Sequence, residues 1–147
     1  NEKFVVLDEV TSWHDQPITF HWANDRQSII FAAGTTIHVR SVVDAQHATI
    51  QPAGFGTRES GRAVDLYDDR ILYFADDGIY EVGLDGLNPR RIVEGNDLHY
   101  PQWGPNGEQV IYRGTDDQLY IINADGTNNH VIPNTESVQQ FDLLLER

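Results

Sequence analysis

The chain has 147 residues, 39% hydrophobic and 10% aromatic, enough to bury one ordinary core and too many for a disordered segment. Its formal charge is −13, and a field of that sign, broken only by the basic spot Arg90-Arg91, repels phosphate backbones, so nucleic acid and anionic membranes are not expected partners. No apolar run approaches the roughly 18–20 residues of a membrane-spanning helix, and the absence of cysteine removes disulfides and thiolate metal sites.

In chain order, Phe4-Val-Val-Leu7 predicts a first strand within residues 3–10. A full unit follows over about residues 17–52. In it Trp22 opens a polar turn, Ile29-Ile30-Phe31 comes seven positions on, Ile37-His38-Val39 is the next strand, Asp44-Ala45 a turn, and Ile50 marks a closing strand. A long linker, Gln51 to Arg62, leads to a second unit over about 60–94. Its strands are Leu66-Tyr67, Ile71-Leu72-Tyr73, Ile79-Tyr80-Glu81-Val82 and, after Asp85-Gly86, Ile92-Val93. The third unit, about 98–133, opens on Trp103 and continues with Val110-Ile111-Tyr112, Leu119-Tyr120-Ile121-Ile122, Asp125-Gly126 and Val131-Ile132. Phe141-Asp-Leu-Leu-Leu145 predicts a last strand within 137–146.

The landmarks keep one period. Phe31 to Tyr73 to Tyr112 steps by 42 and 39, and Asp44 to Asp85 to Asp125 by 41 and 40. Helical periodicity is almost absent, and Asn106-Gly107, Asp85-Gly86 and Asp125-Gly126 are hairpin turns in which glycine accepts a positive φ. Four short strands repeating about every 40 residues define an all-β chain of β-propeller blades, since one blade cannot bury both its faces alone.

The third copy, Pro101-Gln-Trp103-Gly-Pro-Asn-Gly107 with Gln118-Leu-Tyr120-Ile-Ile-Asn-Ala-Asp-Gly126, resembles the TolB-type propeller repeat. Gly104 and Asn106 stand where that family prefers Ser and Asp. The middle copy, with Ile79-Tyr80 and Leu84-Asp-Gly-Leu-Asn-Pro89, is also similar to YWTD-type blades of cell-surface receptors. The resemblance implies a WD-like propeller in a bacterial periplasmic or extracellular setting, often beside a peptidase domain. Propellers use about four to eight blades, so three copies fall short of a ring. Residues 1–147 therefore read as one propeller segment with three possible closures: part of a larger propeller, a self-associating half-ring, or a small ring completed by the terminal strands.

No Gly-x-Ser-x-Gly elbow occurs, and Ser12, Ser28, Ser41, Ser60 and Ser137 sit in no catalytic motif, so the segment is expected to be non-catalytic. The six histidines show no metal-ligand spacing, and His38 takes the packing place of Tyr80 and Tyr120. No cofactor is expected. Calcium is the one cation the acids raise, through Asp68-Asp69, Asp76-Asp77 and Asp116-Asp117, but aspartate also serves hairpin turns by itself.

Binding residues concentrate on loops held by a rigid scaffold. The linkers between units carry Trp13 and His14, then Phe55, Arg58 and Arg62, then His99 and Tyr100. These are the candidate contacts for a protein or peptide partner, which a homo-oligomer or the remaining blades of a parent chain would also be. A second set, His21, Asp65 and Gln102, with Arg62 beside them, falls on predicted inner strands at a channel mouth, where a sugar or calcium is the alternative ligand.

Overall fold

β-Branched and aromatic residues alternate with polar ones in runs too short for a helix, and tight turns separate them. The computed structural model describes residues 20–33, 35–44, 46–52, 54–55, 64–136 and 141, and among these it forms twelve strands and no helix. Blade 1 contains β1 (Phe20–Trp22), β2 (Ser28–Ala33), β3 (Thr36–Ser41) and β4 (His47–Ile50). Blade 2 contains β5 (Val64–Tyr67), β6 (Arg70–Ala75), β7 (Gly78–Gly83) and β8 (Arg90–Glu94). Blade 3 contains β9 (His99–Trp103), β10 (Gln109–Arg113), β11 (Leu119–Asn123) and β12 (His130–Val131). Each is an antiparallel sheet in simple chain order. The predicted terminal strands lie outside the described residues except for Phe141.

Residues paired across a sheet share a face, so the register sorts each blade into two surfaces. Trp22, Leu66 and Trp103 are equivalent, paired with Ile29, Ile71 and Val110. They lie on what we term the leading face, which in blades 2 and 3 meets the preceding blade. His21, Asp65 and Gln102 are equivalent on the opposite, trailing face, paired with Ile30, Leu72 and Ile111. At the seam between blades 1 and 2, Ile50 and Pro52 meet Tyr73 and Val82 around a cavity of about 240 Å³. Blade 2 is covered on both sides, so Ile71, Leu72 and Ile79 are fully buried. Burial of this kind is the main favourable contribution to the fold, about 25 cal/mol per Å² of apolar surface.

One stacked ring pair bridges the second and third strand of every blade. Phe31 and His38 stand 4.9 Å apart, Tyr73 and Tyr80 5.5 Å, and Tyr112 and Tyr120 5.5 Å, each pair within 17° of parallel. His38 thus holds the packing place of a tyrosine. In blade 1 the stack runs on to His47, 5.1 Å from His38, with ring nitrogens 2.9 Å apart.

Trp22 and Trp103 hold the same repeat position but differ in burial: Trp22 is 61% exposed, whereas Trp103 is fully buried. The reason is positional. Trp103 has a blade in front of it, and among the described residues Trp22 has none.

Two predictions follow from the packing. Gly107 sits in the β9–β10 turn at φ 66°, and a Cβ there would strike the Tyr67 ring and the Arg70 guanidinium. Gly107→Ala should cost about 1–3 kcal/mol, read as a lower urea midpoint at unchanged slope. Burial, aided by the charges of His47 and Arg40, holds His38 below the ordinary histidine value of 6.5. The unfolded chain therefore binds more protons than the native one below that value. Stability should be full above about pH 6.5 and fall as pH drops towards the depressed folded value. His38→Phe should flatten that decline in melting temperature, and an unchanged pH profile would show that His38 is not its source.

Candidate functional site

Asp65 is the only charged side chain buried to this degree among the described residues, at 8% exposure. One oxygen accepts the Leu66 amide at 2.8 Å and lies 3.4 Å from His21 Nδ1. The other accepts the Trp103 amide at 2.7 Å. The inner strands of all three blades thus meet on one carboxylate. Next to it, Trp103 Nε1 donates to the Arg70 carbonyl at 3.2 Å, and the Arg70 guanidinium covers the indole at 4.4 Å while donating to the Gly107 carbonyl at 2.7 Å. Glu81 lies 3.6 Å from Arg70 and accepts two donors from Arg90, which also reaches the Ala124 carbonyl at 2.7 Å.

Strand alternation gathers the β2–β3, β6–β7 and β10–β11 turns and the inter-blade linkers at one rim. At the β6–β7 turn Asp77 accepts the Tyr80 hydroxyl at 3.0 Å and Arg91 at 3.1 Å. At the β10–β11 turn Asp116 accepts the Tyr120 hydroxyl at 2.9 Å and Gln118 at 2.8 Å. The Tyr120 hydrogen bond lowers the Asp116 pKa and raises that of the phenol. Asp117 pairs with Arg113 at that turn, whereas at the opposite rim Asp68 accepts Asn24 at 2.8 Å across the seam between blades 1 and 2. Among the described residues no three His, Asp or Glu side chains converge as a metal site.

The rim feature with the most defined geometry is a bulge in β9. Arg113 pairs with His99 and Ile111 with Gln102, so three steps on β9 oppose two on β10. The added residue, Tyr100, has φ 51°, which is unusual for a bulky side chain, and Asp97 in the linker before it has φ 54°. The Tyr100 ring lies 6.1 Å from that of His99, and the Arg113 guanidinium sits 6.0 Å from its centre.

Of the residues singled out from sequence, His99 and Tyr100 are thus neighbours on the rim, and His21 and Asp65 are in contact. Gln102 holds the same position one blade on and donates to the Phe141 carbonyl at 3.2 Å. Phe55 corrects the expectation of a rim contact. It is 4% exposed, edge-on to Tyr73 at 5.8 Å and bridged to Ala75, so its ring anchors the linker instead of facing outward. Trp13, His14, Arg58 and Arg62 lie outside the described residues. Sequence reasoning passed over Arg113, although a charge where the other copies have Ala32 and Phe74 was a visible signal.

No family model and no curated protein sequence matches the chain. Solved structures do. The computationally designed Ika4 protein superposes with a TM-score of 0.61 at 14% identity, over 97% of this chain and 88% of that one. A chain of the nidogen/laminin complex gives 0.60 at 16% identity, over 78% of this chain and 46% of its own length. Oligogalacturonate lyase in complex with manganese gives 0.59 at 16%, over 76% and 39%. The chain spans less than half the length of these last two. At such identities the likeness is one of fold, and the fold is the β-propeller, as the TolB-type and YWTD-type resemblances imply.

Asp65→Ala would leave two buried amides without an acceptor, at about 1–3 kcal/mol each, while Asp65→Asn keeps one acceptor oxygen. Chemical denaturation should therefore rank wild type above Asn and Asn above Ala, and equal midpoints would remove Asp65 from this structural role.

Proposed function

We propose that this chain is a non-catalytic propeller scaffold that binds a protein or peptide through its linker rim, with Tyr100, His99 and Arg113 as the contact centre. The observation that carries the reading is the Tyr100 bulge. A bulky residue held at positive φ costs of order 1–3 kcal/mol, and such residues cluster at functional positions. Here it presents an aromatic ring beside a guanidinium, the side-chain types enriched at interface hot spots. The rim around it is supported by rigid sheets, the arrangement in which loops become binding surfaces. A structural neighbour solved within the nidogen/laminin complex lends the reading support of the same class.

Panning a displayed peptide library against the chain tests this directly. Tyr100→Gly suits the positive φ, so stability should hold or rise while the ring is lost. Peptides enriched on the wild type should bind that variant and Arg113→Ala at least about tenfold more weakly. A wild type that enriches no peptide, or peptides that bind both variants equally, would end the proposal.

A further inference from the structure

At the rim opposite Tyr100, the β5–β6, β9–β10 and β11–β12 turns border a cleft of about 720 Å³ between blades 2 and 3. We propose that this cleft binds a neutral saccharide. Its lining comes from Tyr67, Asp68 and Arg70 of blade 2 and from residues 106–109 and 123–125 of blade 3. Two arginines of blade 2 fix the walls that blade 3 supplies. Arg70 donates to the Gly107 carbonyl and Arg90 to the Ala124 carbonyl, each at 2.7 Å, and Glu81 pairs with both. Walls tied to both blades in this way need little ordering when a ligand enters. The volume lies within the about 300–1,000 Å³ of small-ligand pockets and suits a short oligosaccharide.

The hydrogen-bonding capacity left over in the lining points to the ligand. Among the described residues the Tyr67 hydroxyl and the Gln109 side-chain amide make no hydrogen bond, and Asn123 spends only its Nδ2, on Thr127. Asp68, Glu108 and Asp125 each use one carboxylate oxygen, for Asn24, Asn106 and Thr127, and keep the other. Donors and acceptors are therefore both present, with acceptors in excess. A sugar hydroxyl both donates and accepts, so a polyol can satisfy amides, phenol and carboxylates together. An anion would meet three carboxylates in a chain of net charge −13, and the one lining cation, Arg70, is already paired with Glu81. A bare cation has no acceptor for the amide and phenol donors and would face Arg70 and Arg90. An apolar ligand would strip water from polar groups without replacing it. The cleft shares no residue with the Tyr100 contact centre, so the two surfaces can be tested apart.

The test applies the fluorescently labelled chain to an array of neutral oligosaccharides, with sulfated oligosaccharides and immobilised spermidine as counter-probes. Calorimetric titration with the best neutral binder then gives its affinity. The wild type should retain at least one neutral oligosaccharide and pass over both counter-probes. Tyr67→Phe combined with Gln109→Met removes two partners with little change of shape. It should weaken binding at least about tenfold at an unchanged melting temperature. Asp68→Asn suits the φ of 51° and keeps an acceptor for Asn24, so it should weaken binding with the seam between blades 1 and 2 intact. Tyr100→Gly, at the other rim, should bind the sugar as the wild type does. An array that holds no neutral oligosaccharide overturns the proposal, as does retention of the counter-probes alone. So does sugar binding that the double variant or Asp68→Asn leaves undiminished, or that Tyr100→Gly abolishes.

Discussion

The Asp65 carboxylate is the point on which the three blades depend. Its oxygens receive the amide of its own strand, the first amide contact of the next blade and the approach of His21 from the blade before. Removing an ionised carboxylate from water is costly unless its lone pairs are taken up, and here they are taken up by main chain. The bond to the Trp103 amide also ties β9 of blade 3 to β5 of blade 2. With that strand placed, the Trp103 ring falls under Arg70, and Arg70 in turn joins the Gly107 carbonyl to Glu81. The seam between blades 2 and 3 is thereby specified by directional bonds as well as by apolar contact.

Repetition and its local failures divide the molecule between structure and use. The stacked pair that recurs in each blade ties the two middle strands together and orients the turn acids at Asp77 and Asp116 towards tyrosine hydroxyls. Blade 1 replaces the tyrosine of that pair by His38, which keeps the stack but adds a titratable group whose burial holds it below the ordinary histidine value. Blade 3 departs from the pattern at Tyr100, where one added residue bends β9 and lifts a ring towards Arg113.

The blade faces and the rim are separate surfaces with different physical demands. A blade face is apolar and matched to the neighbouring blade, and its packing is what the repeat preserves. The rim is polar and aromatic, with its acids and tyrosines joined in local hydrogen bonds.

Much of this was legible in the residues alone. The period near 40, the glycines at the hairpin turns and the alternation within each run determined the strands, their order within each unit and the membership of His38 in a packing position. They did so because these are local properties, set by backbone sterics and a period-2 pattern. The equivalence of His21, Asp65 and Gln102 could also be found from the repeat. What only the tertiary structure decided is the use of each position. Phe55 became an anchor because Tyr73 lies beneath it, Trp103 was sealed by the preceding blade while Trp22 has no such blade among the described residues, and Arg113 reached Tyr100 through a bulge that no spacing announces. Burial and strand slippage depend on which surfaces meet, and that information is shared between blades instead of residing in any one of them.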